Sequence, residues 1–255
     1  MILITGASSG IGLACAEALA AQKKDLILVA RRKDRLKDLA DALTRKHNVK
    51  VHVFTLDIQN RNAIESFGQE QEGLLKRVTV LVNNAGLAKG MEPFQKGKID
   101  DWEQMIDTNL KGLLYLTRTV LPHMIARKNG HVVNLGSVAG YWAYPLGNVY
   151  CATKFAVRGF TEALRIDLLG TGVRVTEIVP GRVETEFSLV RLGNAEAAKK
   201  VYEGMTPLSA ADIAEAVVWS VDRPKHVNIQ EIVIYPTDQA STNHYYKRTS
   251  KNRKT

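Results

Sequence analysis

Short apolar runs recur along the chain, separated by longer stretches in which polar and apolar residues mix. The runs are nearly continuous rather than alternating, which is typical of parallel β-strands buried on both faces of a sheet. The predicted strands are residues 2–4, 26–29, 49–54, 78–82, 131–135, 173–179 and 229–234. The pattern therefore predicts a seven-stranded parallel sheet.

Amphipathic segments fill the gaps between the runs. One of them has the i, i+3, i+4, i+7 spacing of a helix with one buried face, at Leu36, Leu39, Ala40 and Leu43. Strands and helices alternate over the whole length, and crossovers between parallel strands are almost always right-handed. We therefore predict an α/β fold with a doubly wound parallel sheet, helices on both faces and a single domain.

Local signals predict where some helices lie. Asp100 with Glu103, and Ser209 with Asp212, have the spacing of pairs that cap a helix N-terminus. A further helix is predicted over residues 149–169.

The composition is typical of a soluble globular domain, with 45% hydrophobic and 24% charged residues in a chain of 255. No apolar run approaches the length of a membrane-spanning helix. The first strand follows Met1 directly, which predicts a cytoplasmic protein with no targeting segment and no membrane partner. Cys15 and Cys151 do not suffice for a disulfide framework, and no metal-ligand spacing accompanies them, so no metal is predicted.

The net charge of +9 raises the question of a nucleic-acid partner. Five of the basic residues, and no acidic one, lie in residues 244–255, which predicts a solvated basic tail behind a domain of residues 1–243. The domain shows no stripe of basic residues interleaved with aromatic ones, so no nucleic-acid partner is predicted. Some of its positive charge could instead bind a phosphorylated cofactor.

A glycine-rich loop follows the first strand and leads into a helical pattern. Glycine permits a tight turn, close approach to a pyrophosphate and close helix–strand packing, and the N–H groups at the helix N-terminus attract phosphate. The alternative is a glycine turn that binds nothing. We predict dinucleotide contacts from Gly6, Ser8, Ser9, Gly10, Ile11 and Gly12.

The end of the second strand indicates which dinucleotide would bind. An acidic residue at this corner would accept a hydrogen bond from the ribose 2′-hydroxyl of NAD, but the chain has Arg31 and Arg32 there. Two guanidinium groups suit the 2′-phosphate of NADP, which they can hold with forked, charge-assisted hydrogen bonds. The alternative is that both arginines merely begin a charged helix face that continues through Lys33 and Arg35.

The ends of the third and fourth strands carry further candidates. Asp57 has two open interpretations, an acceptor for the adenine amino group or a helix N-cap before Ile58. Asn84, Ala85 and Gly86 would let the chain pass flat against a ribose, at the carboxyl edge where ligands of open sheets bind.

Tyr150 and Lys154 are four residues apart in the predicted helix, so they share one face. A tyrosine of ordinary pKa is a poor acid–base catalyst at neutral pH, and a neighbouring ammonium group stabilises the phenolate. The pair therefore predicts a general acid–base site in which Lys154 lowers the pKa of Tyr150. Alone, the spacing is a weak motif.

Ser137 and Asn109 each have a structural and a functional interpretation. Ser137 follows the fifth strand, where it could hold a substrate oxygen against Tyr150 or simply form a turn. Asn109 disfavours helix in an otherwise apolar helical segment. It is either a buried amide with satisfied hydrogen bonds or the residue that positions a proton-relay water for Lys154.

Taken together, the motifs resemble the short-chain dehydrogenase/reductase superfamily in order and spacing over essentially the whole chain. They are residues 5–12, residues 83–86, Asn109, Ser137, Tyr150, Lys154, Pro180, Gly181 and Thr185. The resemblance implies a Rossmann-like fold, hydride transfer to or from nicotinamide C4, and a homotetramer. It also adds Leu56, Pro180, Gly181, Val183 and Thr185 to the expected cofactor contacts, with Tyr150 and Lys154.

The resemblance also implies roles for the catalytic candidates. Tyr150 would be the acid in reduction and the base in oxidation, while Ser137 polarises the substrate oxygen. Lys154 would bind the nicotinamide ribose, and Asn109 would hold the relay water. The expected interfaces of the tetramer are the helices after Asp101 and Val149 and the last strand.

Residues 86–93, 101–102, 105–109 and 147–150 are similar to the NADP-dependent 3-hydroxy acid dehydrogenases, which include serine and allo-threonine dehydrogenases and malonic semialdehyde reductases. A small hydroxy acid is therefore the expected substrate class. The similar stretch 184–188 is shorter than in some members, which makes the acid specificity less secure than the chemistry. The alternatives are a general NADPH-dependent carbonyl or 3-ketoacyl reductase, and a cofactor-binding protein that has lost catalysis.

A substrate carboxylate requires a cation. Arg182 and Arg191 flank the expected substrate segment and either could supply it, although arginines in such loops are often solvated. Tyr141, Trp142 and Tyr144 could form a pocket wall or pack against another subunit.

Overall fold

A computed structural model describes residues 1–248 of the chain. The strands are β1 (Ile2–Thr5), β2 (Leu26–Ala30), β3 (Val51–Thr55), β4 (Val80–Asn83), β5 (Gly130–Leu135), β6 (Val173–Pro180) and β7 (Glu231–Ile234). The α-helices are α1 (Gly10–Ala21), α2 (Lys33–His47), α3 (Arg61–Glu70), α4 (Glu72–Leu75), α5 (Ile99–Ile106), α6 (Leu113–Ala126), α7 (Asn148–Asp167), α8 (Phe187–Leu192), α9 (Ala195–Tyr202) and α10 (Ala210–Val221). A π-helical turn, Asp107–Gly112, joins α5 to α6.

The seven strands pair in the order β3-β2-β1-β4-β5-β6-β7, and every pair is parallel. The predicted Rossmann-like fold is confirmed, and each predicted run overlaps one strand. The order reverses between β1 and β4, because the chain adds β2 and β3 on one side of β1 and then returns to the other. Such a reversal opens a crevice at the carboxyl ends of the strands, where ligands bind in sheets of this type.

Side chains of the strands alternate between two cores, one on each face of the sheet. In β1, Ile2 and Ile4 point into one core and Leu3 points into the other. Residues of α1, α2 and α10 cover the first core, and residues of α3, α6 and α7 cover the second. Helices therefore lie on both faces, and burial on both faces explains the continuous apolar runs.

The helix α2 buries the four residues that the spacing predicted. At α10 the predicted capping box is confirmed, with the Ser209 and Asp212 side chains each accepting a hydrogen bond from the other residue's N–H. The predicted cap at Asp100 is wrong. The helix α5 begins earlier, with Lys98 as N-cap, so Asp100 lies within its first turn.

The predicted tail begins by packing against the domain. Arg248 donates its N–H to the Gly204 carbonyl, and its Nη1 lies 3.0 Å from Asp238 Oδ2. Tyr245 forms an isolated antiparallel bridge with Gln239. Residues 244–248 are exposed although they form these contacts, and residues 249–255 lie outside the described part, so the solvated tail stays a prediction. The boundary at residue 243 stays a prediction. None of the helices over residues 1–248 is long and apolar enough to cross a membrane.

Candidate active site

A cleft of about 660 Å³ lies at the carboxyl ends of the strands. This volume is in the range of cofactor and substrate sites. Among the predicted site residues, those that line it are Gly6, Ser8, Ser9, Gly10, Ile11, Arg31, Arg32, Leu56, Asp57, Asn84, Ala85, Gly86, Ser137, Tyr150, Lys154, Pro180, Gly181, Val183 and Thr185. Gly12 and Asn109 lie outside its lining. The fold therefore brings together candidates that are up to about 180 residues apart in the sequence.

The glycine loop forms one end of the cleft. Gly6 and Gly10 have φ angles of +65° and +53°, a conformation that glycine adopts without strain. Gly12 acts through packing, since a Cβ at this position would lie 2.5 Å from the Gly6 carbonyl oxygen. Within the described residues, the side chain of Ser9 does not cap α1, so the N–H groups of the first turn remain available to a phosphate. This cradle fits a pyrophosphate.

Arg32 binds the glycine loop directly. Its Nε donates to Ser8 Oγ over 3.1 Å and its Nη2 donates to Ser9 Oγ over 2.5 Å. Arg31 is more exposed, with its Nη1 3.8 Å from Asp57 Oδ2. The helix α2 begins at Lys33, so the Arg32 side chain turns toward the cleft instead of continuing a charged helix face. The geometry favours the phosphate-binding interpretation of this corner.

Asp57 is not a helix N-cap. Its Oδ1 accepts a hydrogen bond from the Gln59 N–H over 3.1 Å, in a turn that precedes α3. The N-cap of α3 is Asn60, whose side chain accepts from the Ala63 N–H. Asp57 lines the cleft beside Arg31, where an adenine contact stays a prediction.

At the other end of the cleft, α7 holds Tyr150 and Lys154 on one buried face. Lys154 Nζ donates to the Leu135 carbonyl over 2.8 Å and lies 5.9 Å from the centroid of the Tyr150 ring. Phe187, which begins α8, packs edge-on against Tyr150 with ring centroids 5.6 Å apart. Both polar groups are therefore held away from bulk water by the surrounding side chains.

Burial dominates the pKa values of this pair. It raises the pKa of Tyr150, and the neighbouring Tyr144 raises it further, whereas a hydrogen bond with Ser137 lowers it. This direction is opposite to the expected one, because burial costs the phenolate more solvation free energy than the nearby charges restore. Burial also lowers the pKa of Lys154 to about 8, while the Glu177 carboxyl opposes that change.

Ser137 forms the turn of its structural interpretation and also lines the cleft. Its Oγ accepts the Ala139 N–H over 3.1 Å and so caps a short 3₁₀ turn, Val138–Gly140. It also lines the cleft beside Tyr150 and forms the hydrogen bond that favours the phenolate. The turn thus fixes the hydroxyl at the place where a substrate oxygen could lie.

Asn109 lies in the π-helical turn, a feature that is frequent at functional sites. Its Oδ1 accepts the Leu87 N–H and its Nδ2 donates to the Leu87 carbonyl, both over 2.8 Å. Nδ2 also donates to Thr153 Oγ1 over 3.1 Å. The amide is thus hydrogen-bonded and joins the loop after β4 to α7. Its role in positioning a relay water stays a prediction.

The two candidate arginines differ in their surroundings, although both line the cleft. Arg182 donates to the Val201 carbonyl over 3.0 Å, and its Cζ lies 4.0 Å from the Tyr245 ring centroid. Arg191 donates to Tyr144 Oη over 2.7 Å, and its Cζ lies 5.8 Å from the Tyr150 ring centroid. Of the two arginines, Arg191 is therefore the one beside Tyr150, and Tyr144 belongs to the pocket wall.

Two acidic residues near the cleft had no predicted role. Glu177 on β6 is buried, and Lys154, Arg158 and Arg165 of α7 lower its pKa, although burial raises it to about 7 overall. An acid inside an apolar strand run was an available signal for this residue. Glu186 contacts the arginines at the cofactor corner. Because Arg32 and Glu186 are 154 residues apart, no local sequence pattern indicates this contact. Within residues 1–248, no group of three or more His, Cys, Asp or Glu side chains could hold a metal ion.

Comparison with known proteins identifies the family. Residues 1–191 match the family model described as short chain dehydrogenase. The chain belongs to the short-chain dehydrogenase family. It is 47% identical over 242 residues to sulfoacetaldehyde reductase 2 of Chromohalobacter salexigens, covering 94% of this chain and 95% of the relative. It is 48% identical to the NADP-dependent 3-hydroxy acid dehydrogenase YdfG of Salmonella typhimurium, covering 94% and 96%.

Solved structures agree with this assignment. The closed form of a serine dehydrogenase complexed with NADP⁺ superposes with a TM-score of 0.89 at 44% identity, covering 97% of this chain and 99% of that one. A serine dehydrogenase from Escherichia coli gives a TM-score of 0.80 at 43% identity, covering 94% and 99%. The resemblance drawn from the motifs is confirmed at the level of family, fold and similar enzymes.

Proposed function

We propose that this short-chain dehydrogenase transfers a hydride between NADP(H) and the 3-hydroxyl or 3-oxo carbon of a small acid of the serine, allo-threonine and 3-hydroxypropionate class. NADP is supported by the relatives and by the Arg31–Arg32 corner. The observation that carries the acid specificity is Arg191, which lies 5.8 Å from the Tyr150 ring in the same cleft. A guanidinium there could hold a carboxylate while Tyr150 acts on the neighbouring oxygen.

When bound, NADPH supplies the hydride from nicotinamide C4. Tyr150 Oη donates a proton to the substrate oxygen during reduction and takes it back during oxidation. Ser137 Oγ would orient that oxygen, and Lys154 Nζ would hold the nicotinamide ribose and supply a positive charge near Tyr150. Pro180, Gly181, Val183 and Thr185 would contact the carboxamide end of the cofactor, as the family resemblance implies.

Burial raises the pKa of Tyr150 and so makes loss of the phenolic proton harder. A positive charge nearby opposes this effect because it stabilises the phenolate. Lys154 supplies such a charge only while it is protonated, and its pKa of about 8 lies within the working range of a soluble enzyme. We therefore infer that the ammonium form of Lys154 is the active one. Activity in reduction should fall as pH rises above about 8.

Steady-state kinetics with matched substrates tests the proposal. Malonic semialdehyde and sulfoacetaldehyde carry an anionic group, and propanal is a neutral aldehyde of similar size. With NADPH, the wild-type protein should strongly prefer the two anions. Efficient reduction of a bulky ketone or diketone, with poor turnover of both anions, would instead indicate a general carbonyl reductase.

Variants of the two arginines sharpen the test. Replacing a charged hydrogen-bond donor costs about 1.5–3 kcal/mol, so Arg191→Gln should raise KM for malonic semialdehyde roughly ten- to one-hundred-fold. Its KM for propanal should change little. Arg182→Gln is the matched control, because Arg182 points toward Val201 and Tyr245. Equal losses for the anionic and neutral aldehydes in Arg191→Gln would contradict a carboxylate-binding role.

We also propose a homotetramer, as the family resemblance implies, and a location in the cytoplasm. Large apolar side chains are exposed on the predicted interface elements: Phe155 and Ile166 on α7 and Val233 on β7. A subunit contact on these elements would cover the exposed apolar side chains. Light scattering of the purified chain would measure the assembly, and a monomeric mass would contradict the proposal.

A further inference from the structure

Glu186 joins the substrate segment to the cofactor corner. Its Oε2 lies 2.8 Å from Arg32 Nη1, and its Oε1 lies 2.7 Å from Arg35 Nη1, so each carboxylate oxygen takes one guanidinium. The residue immediately precedes α8, whose first residue, Phe187, packs against Tyr150. One acidic side chain therefore connects the arginines at one end of the cleft with the wall of the other end.

Arg32 is fixed at the phosphate-binding end of the cleft. While Nη1 holds Glu186, the Nε and Nη2 atoms donate to Ser8 and Ser9 of the glycine loop. A ribose 2′-phosphate presents anionic oxygens that need the same kind of donors as a carboxylate does. Glu186 thus satisfies donors that this corner would otherwise offer to the phosphate.

We propose that Glu186 is a built-in competitor for the 2′-phosphate of NADP(H), displaced from Arg32 and Arg35 when that cofactor binds. The inference rests on the proposed function, because it takes NADP(H) as the ligand of this corner. NAD(H) has no 2′-phosphate and leaves the Glu186 contacts in place. Part of the binding free energy of the phosphate is therefore used to release Glu186.

Fluorescence titration with NADPH and NADH tests the competition. In Glu186→Gln the new side chain has the same shape as the old one but lacks the negative charge that pairs with Arg32 and Arg35. We expect the Kd for NADPH to fall about three-fold, a modest change because exposed ion pairs are weak. The Kd for NADH should change by less than two-fold. Adenosine 2′-monophosphate should show the same tightening, and adenosine 5′-monophosphate should not.

Glu184→Gln is the matched control. It removes one negative charge from the same segment, and Glu184 contacts neither Arg32 nor Arg35 among the described residues. Equal tightening of NADPH in both variants would overturn the inference, since net charge alone would then explain the effect. An unchanged or weaker Kd for NADPH in Glu186→Gln would overturn it as well.

The same titration separates this inference from the proposed function. A wild-type protein that does not bind NADPH would contradict the proposed cofactor and, with it, the competition. A wild-type protein that binds NADPH normally while Glu186→Gln gains nothing would contradict the competition alone. Tightening confined to NADPH and adenosine 2′-monophosphate supports it.

Discussion

The two ends of the cleft differ in how exposed their charged and polar side chains are to solvent. At the cofactor corner, the Arg31 and Glu186 side chains are 61% and 41% exposed, and their partners are other surface charges. At the chemical end, Tyr150 is 9% exposed, Lys154 is 7% exposed and Asn109 is 2% exposed. The cofactor corner therefore consists of solvent-exposed charges, and the chemical end consists of polar groups that are buried by the fold.

This difference teaches where a single substitution matters. Charges at the exposed corner are screened by solvent and salt, so each contributes modestly and neighbours can substitute for it. Groups at the buried end have shifted pKa values and fixed hydrogen bonds, so the loss of one leaves its partners unsatisfied. Substitutions should therefore have large effects at the buried end and graded effects at the exposed corner.

The largest effect is expected at Tyr150. Tyr150→Phe removes the hydroxyl that exchanges the proton but keeps the buried ring, so kcat should fall by about 10²–10⁴-fold while NADPH affinity stays within two-fold. Stopped-flow or steady-state assays together with NADPH titration measure both quantities. Tyr115→Phe, on α6 away from the cleft, is the control. Retention of most of the activity in Tyr150→Phe would contradict the role of Tyr150 as general acid and base.

A smaller effect is expected from Glu177, which packs under α7. Burial raises its pKa from 4.5 to about 7, against the opposing charges of Lys154, Arg165 and Arg158. The folded protein therefore binds this proton more tightly than the unfolded chain does. The resulting stability is fully present below about pH 4.5 and is lost as pH rises through about 7.

Glu177→Gln removes this titration while keeping the shape of the side chain. The free energy of unfolding of the wild type, relative to the variant, should fall by up to about 3 kcal/mol between pH 4.5 and pH 7.5. Urea denaturation across that pH range measures the difference. Glu70→Gln, an exposed acid on α3, is the control. A constant difference across the range would show that Glu177 is not desolvated, and the contrast between the two ends would weaken.

The smallest effect is expected at the exposed corner. Arg31→Asp replaces a phosphate-binding charge with an acceptor for a ribose hydroxyl, so the ratio of kcat/KM for NADPH to that for NADH should fall about ten-fold. Arg45→Asp, at the far end of α2, makes the same charge change away from the cleft. If the ratio is unchanged in Arg31→Asp, or changes equally in both variants, Arg31 does not contribute to selecting the 2′-phosphate.

Regular elements were largely predictable because their signals are local. The four buried residues of α2 and the capping box of α10 depend on neighbours within one or two helical turns. The wrong cap at Asp100 shows the limit of a spacing rule, since the residue that starts a helix also depends on how the preceding loop enters it.

The amino-acid sequence by itself determined the alternation of strands and helices, the glycine loop and the pairing of Tyr150 with Lys154 on one helical face. Each of these follows from residues close together in the chain. Only the tertiary structure decided the direction of the Tyr150 pKa shift, the choice of Arg191 over Arg182 at the chemical end and the hold of Glu186 on the cofactor corner. These depend on desolvation and on contacts between distant segments, which exist only when the packed fold excludes water and brings the segments together.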